Sequence, residues 1–420
     1  MKDGLEKANQ KLTTIWVTAL LMLGVGARLW VWAQPLDKLI AWTLTDDAFY
    51  YFKIATNIAQ GKGSTFDGIH LTNGYHPLWM VINVMVFQLL ANRWMAVHGV
   101  LLVGLLFELA AGLMLAYLAW RLRQRRSYVM MVLFLWLWNY RVIASGLNGM
   151  ETALSMFTIH VLLFTALTAL EKPSSRALTW FGLSAGTAIL ARTDNALLVL
   201  LLAVAISITH RRLKLLLLPG AISAIITLPW FLWNYIHFTS LIQTSGTAIT
   251  HLIIKQLEAR YGSPLPFPVA IKYWANLWLN TTIRLYILSA LPFGRPWFMV
   301  SAVWLVVGLA WLMRDRQPLF ASVVRLPLNR LIFWGVLGLW PIVFITVHVV
   351  GRWYFRPYYY ASLTPSVLLF LGLLIDHLLH KDKRTRLWAF LFVPFTIFGA
   401  VLFARSDLYR HQLTMMTAAQ

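Results

Sequence analysis

Two adjacent carboxylates, Asp46 and Asp47, open a polar stretch over residues 45–79, TDDAFYYFKIATNIAQGKGSTFDGIHLTNGYHPLW, in a chain that is otherwise mostly apolar. Neighbouring acids near a membrane surface repel one another and are partly desolvated. That raises at least one pKa and suits proton abstraction or cation binding. The ordinary reading of the same residues is a helix start. Thr45 or Asp46 caps AFYYFKIATNIAQG, Asp47 sits in a first turn favoured by the helix dipole, and Gly61 or Gly63 ends the helix. The two readings are compatible. On such a helix Tyr50 and Lys53 fall near the face of Asp46, putting an acid, a phenol and an ammonium together. Downstream, TNGYHPLW gives Asn73-Gly74 turn chemistry and places Pro77 at a first helical position. His76 then stands at the N-terminus of a helix over 77–92, where backbone N–H groups favour an anion, so a phosphate-facing histidine is expected. Alternatively, His70 and His76 join Asp46 and Asp47 around a divalent metal such as Mg or Mn, although no spacing here is diagnostic of one.

Further residues with chemical potential recur far along the chain. NYRVIASGLNGMET at 139–152 carries Asn148 and Glu151, and ARTDN at 191–195 carries Arg192 and Asp194. Arg192 and Asp194 read as a structural ion pair, whereas Glu151 has no partner in its own loop and leans toward a reacting role. WNYIHFTSLIQTSG at 233–246 adds Asn234, and GRWYFRPYYY at 351–360 adds Arg352, Arg356 and Tyr358. The two arginines are four apart, share a face if helical, and match a phosphate group. The competing reading is an interfacial belt of aromatics with snorkelling Arg. Tyr50, Asn73, Tyr75, Asn148, Asp194, Asn234 and Tyr358 are the expected ligand contacts, and Arg352, Arg356, His76 and Lys53 the expected phosphate contacts. Within apolar runs, Arg28 is expected to snorkel at an outer end, and Glu108 falls mid-helix and needs a partner.

The elements that must position these residues are membrane spans. The 420 residues are 59% hydrophobic and only 12% charged, which excludes the water-soluble globular classes. The expected fold is an all-α polytopic membrane protein. The net charge of +21 sits in short basic runs between apolar spans, as topology signals do, so nucleic acid is not an expected partner. There are no cysteines, so external loops are ordered by packing or ligand rather than by disulfides. The first apolar run, 12–33, carries no cleavage pattern and reads as an uncleaved span.

Basic runs at 121–126, 210–214, 314–316 and 381–386 mark the cytoplasmic side together with the N-terminus. With them 20 Lys and Arg fall inside against 6 in the short external loops. That parity requires 77–92 not to cross. It gives about eleven spans, near 12–33, 97–119, 128–140, 153–170, 178–191, 195–209, 215–233, 296–313, 331–349, 362–378 and 387–404. Residues 1–420 then form one transmembrane domain, with a first external loop at 34–96 and a second long one at 235–295. Every polar motif lands on the external face, which points to one composite site there.

The motifs of residues 45–79 resemble the GT-C class of integral-membrane glycosyltransferases. The pattern is an acid pair after the first span, then YYFKIATNIAQGKGSTFDG and NGYHPLW. It is most similar to protein mannosyltransferases, lipid A aminoarabinose transferases and arabinofuranosyltransferases. GLNGMETAL at 146–154, LARTDNALL at 190–198 and PWFLWNYIHFTS at 229–240 support it.

The resemblance implies a polyprenyl-phosphate-linked sugar donor, a glycan, lipid or protein acceptor, and inverting transfer with Asp46 as base. Glu151 and Asp47 stand beside it, and the cations above stabilise the leaving phosphate. Relatives often have Asp-Glu where this chain has Asp-Asp, so the second acid's role, in metal binding, acceptor binding or the helix end, stays open. The long external segment at 235–295 is expected to cover the site, and the protein to lie in the plasma (inner) membrane with its N-terminus cytoplasmic. A lipid-linked-saccharide flippase is the alternative. It predicts charges in the middle of several spans, where only Glu108 stands.

Overall fold

The computed structural model describes residues 18–284, 326–351 and 357–381, which fold as helices. Helix α1 (Thr18–Trp32) is bent by 114° into α2 (Leu36–Trp42). Then come α3 (Asp46–Ala59), α4 (Pro77–Leu89), α5 (Arg93–Arg123), α6 (Arg126–Leu137), α7 (Tyr140–Gly146) and α8 (Thr152–Glu171). These are followed by α9 (Ser175–Ala191), α10 (Ala196–His210), α11 (Leu217–Phe238), α12 (Thr244–Tyr261), α13 (Phe267–Arg284), α14 (Leu328–Val350) and α15 (Thr364–Lys381).

Five of these stretches are long and apolar enough to cross a bilayer: Arg93–Arg123, Thr152–Glu171, Thr193–His210, Leu213–Phe238 and Leu328–Val350, with the bent α1–α2 pair a sixth. The expected spans at 296–313 and 387–404 lie outside the described residues. The segment expected not to cross, 77–92, forms the 13-residue α4, about 20 Å long against a hydrocarbon core of about 30 Å.

Local chemistry explains most helix ends. Asn92 accepts from the amides of Trp94 and Met95 to start α5, Asn139 does the same for α7, and Ser174 caps α9. Pro77 occupies the first turn of α4 with His76 just before it. The start of α3 differs from expectation. Thr45 precedes the helix without a side-chain cap bond, and its hydroxyl turns instead to the Asn148 carbonyl at 3.4 Å.

The bundle core joins α5, α6, α8, α9, α10, α14 and α15 through Leu, Ala, Val, Phe and Trp side chains. α9 and α11 approach closely because Gly182 and Gly186 carry no Cβ, which would stand 2.8 Å from Pro219 and from Ile226. A second cluster joins α2, α3, α4 and the N-terminal half of α5. Gly149, at φ +77, sits in that cluster, and its missing Cβ would be 2.7 Å from Ala48. That contact seats the start of α3 on the loop before α8.

Arg28 does not snorkel. It is fully buried, and its guanidinium donates to both oxygens of Glu108 (2.6 and 3.0 Å) and to the carbonyls of Gly24, Leu137 and Trp136. The isolated mid-span carboxylate of the sequence reading is therefore one half of a hydrogen-bonded ion pair tying α1, α5 and α6 together.

Candidate functional site

The acids at the start of α3 project from two sides of one helix, as a rotation of about 100° per residue requires. Asp47 turns toward a buried polar network; Asp46 turns outward.

The network centres on Glu151, whose side chain is buried. Its Oε1 accepts from Arg192 at 2.8 Å and its Oε2 from the Tyr51 hydroxyl at 2.9 Å. Arg192 also donates to both oxygens of Asp194 (3.1 and 2.7 Å) and lies 4.7 Å over the ring of Tyr359. The Arg192–Asp194 pair read from ARTDN is present, and Arg192 is also the partner that Glu151 lacked in its own loop. His348 reaches the same group, its Nε2 being 3.5 Å from Asp194. At the edge of the network the Tyr358 hydroxyl donates to Asp47 at 2.9 Å. Burial raises the Tyr358 hydroxyl pKa, with the Tyr359 and Asp47 charges adding to it.

His76 sits in this network as well, its ring held between three other elements. The Thr193 amide (3.4 Å) and the Gln243 side-chain amide (3.2 Å) both point at Nδ1, which must therefore accept. Nε2 carries the proton and lies 3.6 Å from Glu151. Burial lowers the His76 pKa, outweighing the pull of Glu151, so the ring is neutral. Its own amide donates to the Tyr51 hydroxyl at 2.9 Å.

Several expected ligand contacts are joints between elements. Asn73 is fully buried. Its amide nitrogen donates to Asn234 at 3.1 Å, and its oxygen accepts from the Thr244 hydroxyl and amide. Asn148 accepts from the Met150 amide and the Thr152 hydroxyl. The Tyr75 hydroxyl is 2.6 Å from Ser64, and its ring packs against Trp230. Together with Gln243, which donates to the Tyr75 carbonyl, these contacts hold the start of α12 over residues 72–76. The expected cover at 235–295 is thus helical over its described part. Arg352 and Arg356 lie outside the described residues.

The stretch between α3 and α4 is a small hairpin. Asn57 donates to the carbonyls of Thr65 and Phe66, Ser64 and Thr72 pair by backbone and side chain, and Thr65 bridges to Leu71. At its tip Asp67 accepts from His70 at 2.7 Å and from two backbone amides, which hold its pKa well below the usual carboxylate range. His70 and His76 are thereby engaged separately, and Asp46 and Asp47 face apart. Among the described residues no three His, Asp, Glu or Cys side chains converge as metal ligands.

Asp46 borders a cavity of about 650 Å³ at the elbow between α2 and α3, lined by Ile40, Thr43, Leu44, Thr45, Phe49, Tyr50 and Phe66. Its Oδ1 accepts from the Asp47 amide at 3.0 Å. The rings of Tyr50 and Phe66 stand 5.0 Å apart, joining α3 to the hairpin. Lys53 is exposed on the same side of α3 but does not line the cavity.

Sequence reasoning missed Tyr51, Thr193, Gln243, His348 and Tyr359. Their signal is weak because each acts only across elements far apart in the chain. Gln243 and Thr193, for instance, are fifty residues apart and meet at 2.9 Å.

No family model matches the chain, and no curated protein sequence matches it. Solved structures do. ArnT from Cupriavidus metallidurans in the apo state aligns over 89% of this chain at TM-score 0.50 and 16% identity. The same protein bound to undecaprenyl phosphate aligns over 89% at TM-score 0.54 and 14% identity. The chain spans 62% of the length of those ArnT chains. The fold is that of these ArnT structures, one of the groups that the motifs of residues 45–79 resemble.

Proposed function

We propose that the protein is a membrane glycosyltransferase that moves a sugar from a polyprenyl-phosphate carrier to an acceptor hydroxyl at the external face, with inversion and with Asp46 as general base. The observation that best supports it is the solvent-reachable carboxylate of Asp46 in the wall of a 650 Å³ cavity, in a fold shared with a protein solved with undecaprenyl phosphate bound. In this reading the acceptor oxygen attacks the anomeric carbon while its proton passes to Asp46. The bond from that carbon to the phosphate oxygen breaks, and its electron pair leaves with the phosphate. Arg352 and Arg356 are the proposed phosphate cations, and Tyr358, close after them in sequence, donates to Asp47. The flippase reading loses support, because Glu108 is neutralised by Arg28 and offers no gating charge.

The test is transfer by Asp46→Asn. The change is nearly isosteric and cannot disturb a helix cap, since Asn caps as well as Asp. Turnover should fall by about 10² to 10⁴ with undecaprenyl-phosphate binding unchanged. Parental turnover on a polyprenyl-phosphate sugar at saturating acceptor would remove Asp46 from the mechanism.

A further inference from the structure

The cavity beside Asp46 has a composition that selects among acceptors. Its walls are Phe49, Tyr50, Phe66, Ile40 and Leu44, with Thr43 and Thr45 as the polar points and Asp46 as the one charged residue among the described lining. Phosphate sites are built from guanidinium or ammonium groups or from free first-turn amides. The described lining holds no guanidinium or ammonium group, and three of the amides at the helix start are already engaged. The Asp47 amide already donates to Asp46, the Ala48 amide to the Thr45 carbonyl, and the Thr45 amide to Asn148. Lys53, seven residues on, is exposed and does not line the cavity. Among the described lining residues, an anion entering the cavity would meet a carboxylate and no cation.

The same walls suit a sugar ring. Tyr50 and Phe66 present a paired aromatic surface, and a ring's apolar face can lie against it while its hydroxyls reach Asp46 and the threonines. The backbone that carries Phe66 is tied to α3, because Asn57 donates to its carbonyl and to that of Thr65.

We infer that the Asp46 cavity is the acceptor subsite and that it takes an uncharged sugar bearing the reacting hydroxyl, excluding acceptors with a phosphate or carboxylate beside that hydroxyl. Asp46 sets the charge preference, and Tyr50 and Phe66 set the preference for a ring. This rests on the glycosyltransferase reading and assigns its acceptor class.

The experiment uses the full chain in phosphatidylcholine nanodiscs at physiological salt, with phenyl β-glucopyranoside and its 6-phosphate as soluble probes, read by saturation-transfer NMR. The parent should bind the neutral probe and bind the 6-phosphate at least about fivefold more weakly, the factor expected for one like-charge contact near 4 Å in a watery site. Asp46→Asn should bring the two probes within about twofold. Phe66→Ala should weaken the neutral probe about fivefold and leave undecaprenyl phosphate untouched. A parent that binds the 6-phosphate as well as the neutral probe, or an Asp46→Asn variant that leaves their ratio unchanged, overturns the proposal. Undecaprenyl-phosphate binding on the same samples separates the two failures. If it binds and the glucoside does not, the acceptor assignment falls alone. If the glucoside binds and undecaprenyl phosphate does not, the glycosyltransferase reading falls and takes the acceptor assignment with it.

Discussion

Replacing Arg192 by Met tests whether the buried network is a charge-balanced unit. The guanidinium makes three hydrogen bonds to two carboxylates, Glu151 and Asp194, and its side chain and that of Glu151 are almost wholly buried. Methionine conserves most of the volume but leaves both acids without their cation. Breaking a buried pair from one side costs about 3 to 5 kcal/mol, mostly as the penalty of an uncompensated buried charge. With an unfolding entropy near 2.1 cal/mol/K per residue, a chain of this length should lose about 3 to 6 °C in melting temperature. The assay is thermal unfolding in nanodiscs of Arg192→Met, Glu151→Gln and the double variant. If charge imbalance is the cause, the double variant should be more stable than Arg192→Met alone, because the neutral amide that replaces the Glu151 carboxylate carries no orphaned charge. A melting temperature within 1 °C of the parent for Arg192→Met, or a double variant whose losses simply add, would refute the argument.

Other expectations follow from the same geometry. The His76 pKa is depressed on folding, so the unfolded chain binds the extra proton first as pH falls below about 6.5, and stability should decline with acid from there. His76→Gln should flatten melting temperature between pH 5 and 7, and a slope equal to the parent's would exclude His76 as its source. Arg28→Met should destabilise by about 3 to 5 kcal/mol, and adding Glu108→Gln should recover part of it, read by the same thermal assay. Gln243→Ala should speed hydrogen exchange across Thr244–Tyr261 without changing exchange in α8; equal rates would show that α12 is held by other contacts. Since the chain has no cysteine, single cysteines at Arg123 and Lys383 should be shielded from an impermeant thiol reagent in intact cells while one at Asp67 reacts. Labelling at 123 from outside would mean that 77–92 crosses.

What the sequence made legible was local. Hydropathy marked the long spans, Pro77 announced the start of α4, and the acid pair marked the beginning of α3, with Gly61 at its end at φ +76. The facing of the acids was within reach of the same reasoning, because neighbours on a helix diverge by about 100°. Their adjacency in the chain nevertheless reads as a pair. What stayed hidden was pairing over long separations. Nothing near Glu108 names Arg28, eighty residues earlier, and nothing near Glu151 names Arg192. His76 illustrates the limit best. Its place before a helix is evident from Pro77, but its protonation depends on Gln243 and Thr193, which only tertiary packing brings to it.

The Arg28–Glu108 pair also constrains how the protein is made. Arg28 enters the membrane in the first helix, yet the carboxylate that neutralises it is synthesised eighty residues later, and the Leu137 carbonyl that completes its bonding more than a hundred residues later. At about 5 to 20 residues per second the carboxylate follows α1 by about 4 to 16 seconds, and until then the guanidinium has only the Gly24 carbonyl of its own helix as a partner. Closing the Arg28–Glu108 contact is therefore a step that must wait for α5, and the Leu137 bond one that must wait for α6.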